Sequence, residues 1–163
     1  MKRIVFLDRD GVINQNRNDY VKNVNEFIFL PNSIEAIKKL NQIGFLIIII
    51  TNQSVVNRGI IPKKELEKIH EYMIKKIQMQ EGKIEKIYYC PHRPDENCNC
   101  RKPKTGLFLK AMKDFDVDLQ NSWFIGDSTS DQEAGESIGL RTIIIKRNGN
   151  LMDAINIIQD NRK

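Results

Sequence analysis

Ile4-Val5-Phe6-Leu7-Asp8-Arg9-Asp10-Gly11-Val12 is the stretch on which the reading of this chain turns. Four apolar residues in a row, without polar alternation, mark a strand buried on both faces, as in a parallel sheet covered by helices. Two acids then follow at the strand's C-terminal end, where α/β proteins bind their ligands. Alternate residues of a strand point the same way, so Asp8 and Asp10 share one face if strand geometry persists. Two such carboxylates repel unless a cation lies between them or one holds a proton. The pair therefore asks for a divalent metal, an acid/base role, or both; the alternative is an acidic turn with Gly11 as its bend.

Working outward, further apolar runs at Phe45–Thr51, Lys86–Cys90, Ser122–Gly126 and Leu140–Lys146 join Arg3–Asp8 as predicted strands. Helical patterns alternate with them at Ser33–Gln42, Pro62–Gln80, Gly106–Phe115, Ser130–Ile138 and Leu151–Gln159. Ser33 has the chemistry of an N-cap and Gly44 of a helix stop, while Pro62 with Glu65 and Glu67 marks a helix entry. The sum is an α/β, doubly wound parallel sheet with right-handed crossovers.

The 163 residues, 1–163, suit a single domain, and 40% hydrophobic with 29% charged residues is the composition of a soluble globular chain. The longest apolar run, Phe45 to Ile50, fits a buried strand and is too short to span a membrane. Met1-Lys2-Arg3 leads straight into the first strand without the pattern of a signal peptide, which gives a cytoplasmic expectation. A net charge of +5 suits an anionic ligand. Lysines spread along a helix such as Lys63 to Lys76 read as a solvated face, so no nucleic-acid partner and no membrane contact are expected.

Each strand end carries polar chemistry. The second strand ends in Thr51-Asn52-Gln53-Ser54, a cluster of hydroxyls and amides. The strand through Trp123 ends in Gly126-Asp127-Ser128, with Asp131 four residues on. A basic turn, Arg101-Lys102-Pro103-Lys104, enters the helix that begins at Gly106. Beside it lies Cys90-Pro-His92, then five residues, then Cys98-Asn-Cys100. Three thiolates and one imidazole within eleven residues suit tetrahedral Zn²⁺, and they use all three cysteines of the chain. An odd cysteine count argues against a disulfide framework. A closed four-ligand site is structural, and its task is to hold loop 90–100 so that Arg101 and Lys102 point toward the polar strand ends. His70, mid-helix in a charged stretch, reads as a surface residue.

The ordered set Asp8-x-Asp10-x-Val12, Thr51, Lys102 and Gly126-Asp127 with Asp131 resembles the phosphatases of the haloacid dehalogenase superfamily over nearly the whole chain. That resemblance implies Asp8 as nucleophile and Asp10 as the acid/base that protonates the leaving oxygen and later activates water. It implies Thr51 on a phosphate oxygen and Lys102 paired with both phosphate and Asp8. Mg²⁺ would be held by Asp8, Asp127 and the backbone carbonyl of Asp10, with Asp131 ligating through water or orienting Lys102. The connection from Asp8 to Thr51 leaves room for only a minimal cap. Substrate choice then falls to residues Asn14 to Lys22, Ser54 to Gly59 and the zinc loop, with Asn52, Gln53, Ser54, Arg58, Arg101 and Lys102 as substrate-binding candidates.

Within the superfamily the zinc loop resembles the branch of D-glycero-D-manno-heptose 1,7-bisphosphate phosphatases and histidinol-phosphate phosphatase domains. The short gap from His92 to Cys98 is nearer the histidinol-phosphate type. Thr51-Asn-Gln-Ser-Val-Val-Asn-Arg-Gly59, Asp19-Tyr20-Val21 and Tyr88-Tyr89-Cys90-Pro91-His92 are nearer the heptose type, with Val55 in place of its usual Gly. The implied activity is Mg²⁺-dependent removal of the 7-phosphate from the heptose bisphosphate, a small phosphorylated sugar, by a monomer. The alternatives are histidinol-phosphate hydrolysis, a nucleic-acid 3′-phosphatase, and a non-catalytic zinc-stabilised binding module.

Overall fold

The computed structural model describes residues 1–162. Five strands, β1 (Ile4–Leu7), β2 (Leu46–Asn52), β3 (Lys86–Cys90), β4 (Trp123–Gly126) and β5 (Arg141–Ile144), form one sheet in the order β3-β2-β1-β4-β5. Every pairing is parallel, with Leu7 level with Ile49 on one side and Ile125 on the other. The helices are α1 (Ser33–Gln42), α2 (Lys63–Met79), α3 (Gly106–Asp114), α4 (Thr129–Ser137) and α5 (Leu151–Asp160). The expected doubly wound α/β architecture is therefore present, with element ends shifted by one or two residues.

Period-2 alternation along the strands divides the core in two. Val5, Leu7, Ile47, Ile49 and Ile125 pack with side chains of α1, α2 and α5. Ile4, Phe6, Ile48, Ile50 and Phe124 face α3 and α4, where Phe108 sits edge-on to both Phe6 and Phe124. Both faces of the central strands are thus buried, which is why their sequence shows apolar runs. The chain steps outward from β1 to β2 and β3, then returns to place β4 on the other side of β1. That reversal opens a crevice beyond the C-terminal ends of β1 and β4.

Two local expectations are corrected. Ser33 is not the N-cap: Asn32 takes that place in a left-handed conformation (φ 65°), and the Ser33 hydroxyl donates to Leu30 O at 3.0 Å. β1 also ends at Leu7, so strand geometry does not carry on to Asp10. The Arg9 carbonyl instead accepts from Val12 N and Ile13 N and folds the chain into a turn. Gly44 does follow α1 with a positive φ of 92°, as a helix stop requires. Among the described residues no helix is long and apolar enough to cross a membrane.

Candidate active site

The sheet brings Asp8, Asp127 and Lys102 to one rim, where they line a cleft of about 270 Å³ together with Asp10, Asn52, Gln53, Ser54, Arg101 and Asp131. Lys102 is its fixed cation. Its Nζ lies 3.1 Å from Asp8 Oδ1 and 2.6 Å from Asp131 Oδ1, and donates to Ile50 O at 3.0 Å. Burial works against the charged amine, but Asp8 and Asp131 outweigh it and hold its pKa above the ordinary lysine value. Asn52 clamps the Lys102 backbone from both sides, its Oδ1 accepting from Lys102 N (3.0 Å) and its Nδ2 donating to Lys102 O (3.2 Å). Asn52 was expected to touch substrate; it also sets where the lysine starts.

Asp8, Asp127 and Asp131 each present a carboxylate oxygen within 4.8 Å of the others. Burial raises the pKa of Asp8 well above the ordinary value, with Asp131, Asp127 and Asp10 adding to the rise and Lys102 opposing it. Burial raises Asp127 too, against the Arg147 guanidinium 2.8 Å from its Oδ2. Asp131 is held below the ordinary value because Lys102 and hydrogen bonds, including one from Asp127 N (3.0 Å), outweigh its burial. Hard oxygen donors with excess negative charge fit a divalent cation such as Mg²⁺.

Gly11 lets the loop pass this cluster. Its φ is 86°, and a Cβ there would stand 2.1 Å from Asp127 Oδ2. Gly11→Ala is expected to displace Asp127 and lower kcat by about 100-fold, since ångström-scale misplacement costs that much. Steady-state kinetics at saturating Mg²⁺ check this, and a parental kcat would show that the loop tolerates the shift.

Asp10 is held differently. Its Oδ1 accepts from Arg9 Nη2 (2.8 Å), Arg9 Nε (3.2 Å) and Asn14 Nδ2 (2.9 Å), and its Oδ2 from Gln53 Nε2 (2.7 Å). Burial pushes its pKa up, but Arg9 and these donors bring it below the ordinary value. Gln53 also donates to Thr51 Oγ1 at 3.0 Å, which places Thr51 under the cleft floor, 1% exposed.

His70, expected on the surface, is only 7% exposed, and its Nε2 lies 3.1 Å from Arg9 Nη1. Charge density along α2 hid this, because a single helix face carries His70 inward with Leu66, Ile69 and Met73. Burial, and then Arg9, lowers its pKa to about 3. The unfolded chain takes up a proton near the ordinary histidine pKa of about 6.5, so stability is whole above that pH. It is lost as pH falls toward about 3, at up to about 1.4 kcal/mol per pH unit. Urea unfolding at stepped pH should give His70→Gln a flatter acid slope than the parent; equal slopes would mean that another group carries it.

The cysteine loop converges as expected. Cys90 Sγ lies 3.0 Å from Cys100 Sγ, 3.6 Å from Cys98 Sγ and 3.3 Å from His92 Nδ1, and His92 Nδ1 lies 3.2 Å from Cys100 Sγ. Sulfurs around a zinc with ~2.3 Å bonds stand about 3.8 Å apart, so small outward shifts fit the ion. Burial raises the Cys90 and Cys100 thiols. The backbone N–H of Arg101, 3.3 Å from Cys98 Sγ, helps bring Cys98 down to about 6 against its own desolvation.

At the rim, Arg101 lines the cleft and donates from Nη1 to His92 O (3.3 Å). Arg58 is exposed beside the cleft and is held by two of its lining residues: its Nε donates to Ser54 Oγ (3.0 Å) and its guanidinium lies 5.9 Å from the Tyr20 ring centroid. Arg9, His70 and Arg147 were missed as site residues, while Asn14 and Arg17 were foreseen only as members of the loop Asn14 to Lys22. Arg147 follows the β5 end, so reading outward from that strand as from the others would have found it. Its loop is tied down by Asn148 N donating to Gly11 O (3.0 Å) and by Asn148 Oδ1 accepting from Asn16 N (2.7 Å).

A parallel sheet with an acid pair after β1, a buried lysine and an acid after β4 defines a phosphatase of the haloacid dehalogenase class. Residues 3–153 match the family described as polynucleotide kinase 3 phosphatase, and the chain belongs to that family. It is 41% identical over 145 residues to the D-glycero-beta-D-manno-heptose-1,7-bisphosphate 7-phosphatase of Pseudomonas aeruginosa, covering 89% of this chain and 82% of that one. To the D-glycero-alpha-D-manno-heptose-1,7-bisphosphate 7-phosphatase of Campylobacter jejuni it is 43% identical over 143 residues, 88% of this chain and 81% of the relative. The crystal structure of a D,D-heptose 1,7-bisphosphate phosphatase from B. bronchiseptica, complexed with magnesium and phosphate, superimposes with a TM-score of 0.86 at 36% identity, covering 96% of this chain and 87% of that one.

Proposed function

We propose that this chain removes the 7-phosphate of D-glycero-D-manno-heptose 1,7-bisphosphate through an aspartyl-phosphate on Asp8. The observation that carries the reading is the ion pair of buried Lys102 with Asp8 at 3.1 Å, beside the Asp127 and Asp131 carboxylates. A carboxylate cannot approach a phosphate dianion unless their repulsion is offset; Lys102 supplies one positive charge, and the three carboxylates call for a cation that supplies the rest. Asp8, Asp127 and the Asp10 carbonyl would hold Mg²⁺, which supplies charge neutralisation between nucleophile and phosphoryl oxygens.

Asp10, ionised in the free site, takes up a proton from solvent when the incoming phosphate's negative charge and the departure of Gln53 raise its pKa. Asp8 attacks phosphorus in line, the bond to the sugar oxygen breaks, and Asp10 delivers that proton to the oxygen. Water then attacks the aspartyl-phosphate, giving its proton to Asp10, and inorganic phosphate leaves with Asp8 restored. Arg9 and Asn14 engage Asp10 Oδ1, so Oδ2 is the oxygen that exchanges the proton once Gln53 Nε2 gives way. Arg101, Arg17 and Ser54 on the rim are the groups for the sugar and its second phosphate.

Cys90, His92, Cys98 and Cys100 hold a structural Zn²⁺ in this reading, and elemental analysis of protein purified without chelator should find about one equivalent per chain. Steady-state kinetics on both substrates test the assignment. A kcat/KM for the heptose bisphosphate above that for histidinol phosphate is expected, and the reverse order would transfer the assignment. Phosphate release from a 3′-phosphorylated oligonucleotide should be slower than from either, for want of a basic stripe.

A further inference from the structure

We infer that His70 is a positioning residue for this reaction, fixing the orientation of the Asp10 carboxylate through the buried guanidinium of Arg9. The inference rests on the acid/base reading of Asp10.

Arg9 is 1% exposed and is among the largest fully buried side chains of the molecule. One edge of its planar fork, Nε and Nη2, grips Asp10 Oδ1, while Nη1 is directed at His70 Nε2, 3.1 Å away. The Phe27 ring lies 5.8 Å from the guanidinium carbon. A guanidinium bound at one edge still rocks about that contact; a second acceptor at the opposite corner fixes its plane.

Nη1 can only donate, so Nε2 of His70 must accept and the ring proton sits on Nδ1. The ring arrives from α2, 61 residues along the chain, and is itself held edge-on to Tyr89 at 5.9 Å. Its other charged neighbours, Glu67 and Glu71, line the shallow groove on the outer side of α2 and β3. His70 brings no charge to balance Arg9, which Asp10 already does. What it adds is direction, transmitted from a rigid helix to the carboxylate that must meet the leaving oxygen.

A general acid matters most when the leaving group is a poor one. The test therefore compares a sugar phosphate, which needs a proton delivered, with p-nitrophenyl phosphate, which does not. His70→Leu fills the space without an acceptor and leaves Nη1 unpaired, whereas His70→Gln supplies an acceptor again. Loss of kcat in His70→Leu is expected to be about 10-fold greater on the sugar phosphate than on p-nitrophenyl phosphate, with KM within about 2-fold of the parent. His70→Gln should recover most of it, and Asp10→Asn should show the same differential, larger.

Equal losses on both substrates, with the differential intact in Asp10→Asn, would reduce His70 to a packing residue and overturn the inference. No differential in Asp10→Asn would instead overturn the acid/base reading of Asp10. If His70→Leu does not fold, His70→Asn, whose acceptor is too short to reach Nη1, must show the differential in its place, and its absence there is equally fatal.

Discussion

Asp8→Asn is expected to lower kcat on every phosphomonoester by at least about 1,000-fold while leaving the fold as stable as the parent or more so. The side chain keeps its shape, and the amide oxygen still accepts from Arg9 N, which sits 2.8 Å from Asp8 Oδ1. An amide cannot form the acyl phosphate, so the loss is one of chemistry. The stability term has the opposite sign because burial and the carboxylates of Asp131, Asp127 and Asp10 all disfavour ionised Asp8. Lys102 retains Asp131 at 2.6 Å, so removing one carboxylate leaves no buried cation unpaired. The site thus stores electrostatic strain that a bound cation relieves. Single-turnover phosphate release and thermal melts without added Mg²⁺ measure the two quantities. A rate within about 10-fold of the parent would remove Asp8 as nucleophile, and a large fall in melting temperature would remove the strain argument.

Most of this arrangement was legible from strand ends. Unbroken apolar runs place β1, β2 and β4 between helices, and a parallel sheet brings their C-terminal ends together. Asp8, Asp127 and Lys102 could therefore be grouped from order alone. The cysteine loop was legible for another reason, since its ligands are close in sequence and their spacing limits their geometry.

What stayed hidden depends on long-range pairing of polar groups. Arg9 between two acids looks like a solvated charge; only the turn after Leu7 sends it inward to His70 on α2. Arg58 carries the chemistry of a phosphate grip, but its contacts with Tyr20 and Ser54 at the cleft cannot be read from its place in the sequence. Side-chain direction outside regular elements is fixed by such contacts and leaves no periodic trace in sequence.

Cys100→Ser is expected to lower both the melting temperature, by about 10 °C, and kcat, by about 100-fold, although Cys100 lies outside the reacting atoms. The coupling runs through the backbone. Cys100 is two residues from Lys102, Arg101 N donates to Cys98 Sγ (3.3 Å), and Lys104 Nζ donates to Cys98 O (2.6 Å). Gly106 N, at the start of α3, donates to Asn99 O (2.9 Å), so the loop is tied to the helix that follows it. With the proposed zinc in place, four ligands fix this segment and Lys102 enters the core already aligned with Asp8. Without it, Asn52 alone holds the Lys102 backbone, and the amine must be buried from a mobile strand of chain. The two losses should therefore track each other across Cys90, Cys98 and Cys100 variants, whereas Arg101→Ala should raise KM with little change in melting temperature. Zinc content, melting temperature and kcat measured on the same preparations decide the matter. A Cys100→Ser protein that lacks zinc yet keeps the parental kcat would separate the loop from catalysis and leave Asn52 as sufficient support for Lys102.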